Sequence, residues 1–155
     1  MRNAVLSGLA AGRLLLVSLA LGSAVLQTHV CAGEAAAPHP TAAAVKHEIT
    51  SVIEAQLAAF RASDYRKAYT FAASEIRGSF ALAEFEVMVK KSYPVIAQST
   101  SATFGLAFDT GDEAVVNVRI ENGQKSSVEY HYVLKKENGE WKITGVSEAK
   151  DGLTV

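Results

Sequence analysis

Two Asn-Gly dipeptides, Asn122-Gly123 and Asn138-Gly139, restrict what this chain can fold into more than any other feature. Asn-Gly favours the two positive-φ positions of a type I′ turn, the strongest short-range signal of a β-hairpin. The apolar-rich segments they separate are residues 114–120, 128–134 and 141–146, so the sequence predicts an antiparallel meander over 113–146. An earlier extended segment, 103–108, joins it through the Asp109-Thr110-Gly111-Asp112 turn. A four-stranded sheet needs cover over one face, and the helical stretches before it supply that cover.

The first dipeptide raises a conflict of register. In a strict two-residue turn Glu121 faces Gln124, and Val116, Val118 and Ile120 share a face with Glu129, His131 and Val133. One extra loop residue, or a bulge, instead brings them beside Tyr130, Tyr132 and Leu134, because a shift of one residue turns every side chain to the other face. This second register gathers the apolar residues and is the one expected, with Tyr130 and Tyr132 toward the helices and His131 away. At the second dipeptide a two-residue turn sets Leu134 opposite Ile143, Tyr132 opposite Gly145, and Trp141 beside Lys136.

Upstream, Val45, Ile49, Val52, Ile53, Gln56, Leu57 and Phe60 recur at spacings of three and four, the apolar stripe of a helix. Gln56 lies inside that stripe, either at its edge or turned into a cavity. Asp64 suits the cap of a second helix, whose inner face carries Tyr65, Ala68, Tyr69 and Ala72. Tyr65 and Tyr69 stand one turn apart. They are either core aromatics with hydroxyls at the boundary or a pair of donors lining a cavity. Residues 74–80 interrupt the periodicity at Gly78, with Ile76 and Phe80 as anchors. Leu82, Phe85, Met88, Val89 and Ser92 outline a third helix, ended by Pro94.

The N-terminal residues read as separate from the domain. Arg2 and Arg13 precede the apolar run 14–26, and Val30-Cys31-Ala32 offers small residues for cleavage. The expectation is a secretory signal peptide over 1–32, cleaved near Ala32, and a periplasmic or secreted product. An uncleaved anchor is the alternative, although the run is short for a span of about 20 residues. A lipid on Cys31 fits poorly with His29 and Val30 before it. Residues 33–44, rich in Ala and Pro, read as a flexible tether, 45–150 as the domain and 151–155 as a tail. Cleavage removes the sole cysteine, which excludes thiol and disulfide chemistry from the mature chain and suits a periplasm. The net charge is −1 and no block of like charges occurs, so no nucleic-acid partner is expected. Membrane contact is expected only through an uncleaved leader.

No nucleophile elbow, glycine-rich phosphate loop or zinc motif is present. Glu129 and His131 are two apart on one strand and share a face. On a concave face they would make an acid–base pair; the expected register sets them on the solvent side or at an oligomer contact. A metal site needs further ligands, and neither His39 nor His47 is tied to His131 by spacing.

The helix around Val52-Ile53-Glu54-Ala55-Gln56-Leu57-Ala58-Ala59-Phe60 opens a longer pattern. It continues through Tyr69 to Ser74, Ile76-Arg77, Phe85, Met88-Val89, Tyr93-Pro94 and Gly139-Glu140-Trp141-Lys142-Ile143. In this order these residues resemble the bacterial domain-of-unknown-function 4864 family, over about 45–148. That family is similar in fold to the nuclear-transport-factor-2-like (SnoaL/ketosteroid-isomerase-like) superfamily. The resemblance implies an α+β, cystatin-like cone, with three N-terminal helices packed on a curved four-stranded antiparallel sheet around a cavity. Isomerases, dehydratases, polyketide cyclases and pure binders share that scaffold, so fold does not choose among them. The isomerase pattern of a cavity carboxylate with a tyrosine, and the dehydratase histidine–aspartate pair, have no clear equivalent here, and no catalytic residue carries over.

The function expected is non-catalytic binding of a small, partly apolar ligand without a cofactor. Its candidate pocket comprises Gln56, Phe60, Tyr65, Tyr69, Phe85, Tyr130 and Tyr132. The alternatives are a homodimeric or structural domain associating through the sheet, and a small lyase or isomerase.

Overall fold

A computed structural model of the chain describes residues 36–149, within a unit Glu34–Val155 that separates from Met1–Gly33. The expected leader, its cleavage point and the 151–155 tail lie outside the described residues. Along the chain run β1 (His39–Pro40), α1 (Ala43–Arg61), α2 (Tyr65–Thr70), α3 (Ser74–Ser79), α4 (Leu82–Ser92) and α5 (Pro94–Ala97). Then follow β2 (Ser99–Asp109), β3 (Glu113–Asn122), β4 (Ser127–Glu137) and β5 (Glu140–Glu148). The strands form one antiparallel sheet in the order β1-β2-β3-β4-β5.

This architecture corrects the expected cone. The class is α+β, but the described residues hold five helices rather than three and five strands rather than four. The sheet is open, with β1 and β5 unpaired to each other. The extra elements have local causes. His39 and Pro40, expected within the flexible tether, pair with Asp109 and Phe108, and Thr41 N continues the ladder to Ala107 O at 3.0 Å. The stretch 74–80 coils into α3 through Gly78, with Arg77 N bonded to Ala73 O. Pro94 ends α4 and also opens α5 at its first turn, where a missing N–H costs nothing.

The two Asn-Gly turns differ. At the second, Asn138 and Gly139 both have positive φ (53° and 84°), and Glu137 pairs with Glu140, as a type I′ turn requires. At the first, Asn122 is the leading residue of a longer loop. Its Oδ1 accepts from Gln124 N (3.1 Å) and Ser126 N (3.0 Å), and Lys125 N donates to Asn122 O. Lys125, not Gly123, takes the left-handed position at φ 61°. The side-chain carbonyl thus mimics a turn and lengthens the loop by three residues over a strict turn. Val116 pairs with Tyr132 and Val118 with Tyr130. The expected facing holds, although three residues rather than one make the shift. On β5 a bulge at Thr144 sets Gly145 opposite Val133 and Val146 opposite Tyr132, displacing the expected Tyr132–Gly145 pair.

Each long edge of the sheet is paired over part of its length, which limits edge-to-edge pairing there. β1 lies along β2, and residues 71–73 bond along β5 through Ile143 N–Phe71 O (2.9 Å) and Ala73 N–Ile143 O (2.8 Å). The core lies between the helices and the even-numbered side chains of β3 and β4. Ile49, Ile53, Gln56, Leu57, Ala59 and Phe60 bury the inner face of α1 against Val116, Val118, Ile120, Tyr130, Tyr132 and Leu134. Trp141 closes one end, its Nε1 donating to Glu48 Oε2 at 3.2 Å and Lys136 lying over its ring.

Candidate functional site

Where α3 and α4 meet β5 the layers part into a cleft of about 320 Å³. Helix α1 lends Gln56 and Phe60 to it, and Ala72 follows from the end of α2. Ile76 and Phe80 come from α3 and its exit, and Phe85, Met88, Val89 and Ser92 from α4. Tyr93 and Ile96 lie at α5. The sheet side is Tyr132 on β4 with Ile143, Gly145 and Val146 on β5.

Local sequence explains these placements. Phe85 and Val89 lie one turn apart on the buried face of α4, whose first turn is held by Glu84 accepting from Ala81 N at 2.8 Å. Phe85 packs on Phe60 (ring centroids 6.2 Å apart) and Tyr69 (5.2 Å), and Phe60 on Tyr65 (5.7 Å). These rings form a continuous aromatic cluster, of which Phe60 and Phe85 reach the cleft.

The seven candidate pocket residues divide. Gln56, Phe60, Phe85 and Tyr132 line the cleft; Tyr65, Tyr69 and Tyr130 do not. Tyr65 is buried behind Phe60 under the Lys90 ammonium. The Tyr69 hydroxyl lies 2.6 Å from Phe80 O and 2.9 Å from Arg77 O, so it clamps the turn after α3 rather than facing a ligand. Tyr130 is buried against Tyr93, ring centroids 6.4 Å apart.

The polar groups of the lining are few. Gln56 Nε2 donates to Ala68 O (3.2 Å) and Tyr93 Oη to Val146 O (3.0 Å). Ser92 is exposed at the rim. Tyr132 Oη is fully buried without a partner. Among the described residues, the other buried unpartnered side-chain atoms, Thr41 Oγ1, Ser99 Oγ and Asp109 Oδ2, lie outside the cleft lining. Burial pushes the Tyr132 phenol well above its ordinary pKa, with Tyr130 and Tyr93 adding to the effect. Burial, then Glu148 and Tyr93, push Tyr130 up to about 12. Both phenols therefore keep their protons at neutral pH.

The lining contains no carboxylate, imidazole, ammonium or guanidinium. Glu129 and His131 sit half-buried on the opposite face of the sheet, with Glu129 3.5 Å from Arg119 and His131 paired to Asn117. His39 lies 3.7 Å from Asp109 beside β1. Among the described residues no group of three or more His, Cys, Asp or Glu is placed to hold a metal ion, and no helix is long and apolar enough to cross a membrane.

The far wall went unread in the sequence. Ile76 and Phe80 were legible as anchors and Met88 as part of a helix, but nothing in their spacing said that they line one cleft with Ile143 and Val146.

The likeness to known proteins is consistent with this layout and silent about the cleft. The solution structure of a SEC-C motif containing protein from Rhodopseudomonas palustris is similar, with a TM-score of 0.50 at 14% identity over 64% of this chain and 77% of that one. At that identity the likeness is one of fold alone. No curated protein matches the sequence. The family model described as Domain of unknown function (DUF4864) matches residues 42–153, and the chain belongs to that family.

Proposed function

We propose that this domain binds a small, partly apolar molecule in the cleft between α4 and β5 and does no chemistry on it. The carrying observation is the cleft: about 320 Å³ of space, walled by apolar side chains and dotted with a few polar groups. Ligand pockets have this character, and such volumes fall at the small end of their range. The lining supports binding over proton transfer, because it offers no carboxylate, imidazole or amine to take a proton near neutral pH. The leader-like 1–32 stretch supports an exported, periplasmic setting, where N-terminal sequencing of the mature protein should begin at Gly33.

The test is binding of the neutral fluorogenic probe N-phenyl-1-naphthylamine, paired with native mass spectrometry of protein purified from the periplasm. Probe emission should rise with the wild-type protein and fall with Met88→Trp, which fills the cleft from α4. Equal emission from both proteins sinks this reading.

A second reading rests on a separate observation. Phe108, Val115 and Val133 pair across β2, β3 and β4 on the face away from the helices and are 42%, 41% and 37% exposed. Such an apolar row supports self-association through the sheet, which sedimentation of Val115→Lys against wild type would test.

A further inference from the structure

We propose that α3 is the door of the cleft: it swings away from the sheet as a unit, carrying Ile76 and Phe80, and admits the ligand between Phe80 and Met88. This rests on the binding reading above and adds its route of entry. Three features of the fold point to it.

The first is how little α3 buries. Of the five helices among the described residues, α3 alone has no buried residue. Its one apolar side chain, Ile76, is half-buried and lines the cleft. Packing of an apolar face is what holds a short helix in place, and segments with little of it open at low free energy. The other walls are fixed by buried side chains: Phe85 and Val89 on α4, Ile96 on α5 and Ile143 on β5.

The second is the kind of fastening. Polar ties hold α3. Ser74 N and Oγ donate to the Glu137 carboxylate, Lys135 pairs with Glu75, and the Tyr69 hydroxyl lies on Arg77 O and Phe80 O. Ties of this kind near the surface are individually weak. The next anchors stand just outside the helix: Ala73 N on Ile143 O before it, and Ala81 N on Glu84 after it. Ala73 and Ala81 both have extended backbone. A change of a few dihedrals at these two points moves α3 without disturbing α2 or α4.

The third is where the door leads. Phe80, Met88 and Ser92 border both the cleft and a surface groove along Ser79, Ala83 and Val87. Phe80 travels with the end of α3, and Met88 is an unbranched side chain that adapts readily. The partition between groove and cleft therefore gives way when α3 moves.

The experiment pairs native-state hydrogen exchange of the full-length mature protein with stopped-flow binding of N-phenyl-1-naphthylamine. The Arg77 and Phe80 amides, bonded to Ala73 O and Ile76 O, should exchange through an opening insensitive to low denaturant. The Leu57 amide on α1 should follow global unfolding instead. Tyr69→Phe keeps the ring and removes one tie. It should speed probe association and dissociation alike by about fivefold, the worth of one hydrogen bond. Kd should stay unchanged, because the closed state is weakened equally with and without ligand. Arg77 and Phe80 amides that exchange only with global unfolding, or association as slow in Tyr69→Phe as in wild type, overturn the door and leave binding intact. A probe that binds neither protein overturns the binding reading, and exchange at Arg77 and Phe80 then decides by itself whether α3 opens.

Discussion

The two faces of the sheet use the same strands and the same kinds of residue, yet meet different fates. Val116, Val118, Ile120, Tyr130, Tyr132 and Leu134 are sealed under the helices, whereas Val115 and Val133, each next in sequence to a sealed residue, stand in solvent. Residue type therefore does not decide burial here; strand parity does, and parity was set by the loop at Asn122. The sealed face is also uneven. Toward α1 it packs against Ile49, Ile53 and Leu57, and toward α4 it leaves the cleft.

The sharpest way to break this comparison is to truncate neighbouring residues of β4 to alanine. Leu134→Ala should lose about 2–5 kcal/mol of unfolding free energy, the lost transfer energy plus a cavity. Val133→Ala, one residue away on the open face, should change stability by less than about 0.5 kcal/mol. Chemical denaturation of the two variants measures both. Similar losses would mean that the outer face is covered as well.

A second contrast lies between two tyrosines of the core, Tyr69 on α2 and Tyr132 on the sealed face. Tyr69 uses its hydroxyl on Phe80 O and Arg77 O, whereas Tyr132 uses its hydroxyl on nothing in the protein. Tyr69→Phe should cost about 1 kcal/mol. Tyr132→Phe should raise the stability of the ligand-free protein by about 1 kcal/mol, since it removes a donor that burial leaves unpaired. A loss from Tyr132→Phe in ligand-free protein would show that water already serves the hydroxyl.

These contrasts also mark what the sequence carries. The inward facing of Tyr130 and Tyr132 was legible because only one parity collects the apolar residues of β3 and β4. The turn that produces it was not, because Asn-Gly serves equally as the centre of a type I′ turn and as the head of a longer loop. Asn122's side chain makes that choice by binding Gln124 N and Ser126 N. The helices α3 and α5 span only six and four residues, too short to show a period. β1 consists of two residues, His39 and Pro40, whose pairing depends on Asp109 and Phe108 far along the chain, beyond the reach of local propensity. In the site, Gln56 announced itself as a polar break in an apolar stripe. Tyr65 and Tyr69 gave the same kind of signal and lie elsewhere, because one turn of spacing says that side chains are neighbours and not what they face.

The open face offers a smaller, separate effect. Val115→Lys places a charge in the middle of the Phe108–Val115–Val133 row. If copies of the chain meet there, sedimentation should show wild-type dimers and variant monomers, with the unfolding free energy of each subunit shifted by less than about 0.5 kcal/mol. Monomers in both proteins would leave the row as ordinary exposed surface and deprive the second reading of its support.

The smallest effect is at the rim where the faces meet. Glu137, at the end of β4, accepts from Ser74 N (2.9 and 3.1 Å to its two oxygens) and from Ser74 Oγ (2.8 Å), tying the start of α3 to the sheet. Those hydrogen bonds, with Lys135 and Arg77 at 3.7 and 3.8 Å, hold its carboxyl below the usual range. A carboxyl depressed in the folded state binds its proton more readily in the unfolded chain. Its stabilisation is therefore present above the ordinary glutamate value of about 4.3 and lost as pH falls through the lower, folded value. Glu137→Gln keeps the shape and removes the titration. Stability measured from pH 7 down to pH 3 should then decline less steeply in the variant than in wild type, with the difference confined to the acid limb. Identical slopes would mean that Ser74 holds Glu137 no better when it is charged than when it is neutral, and the tie between α3 and the sheet would be one of shape alone.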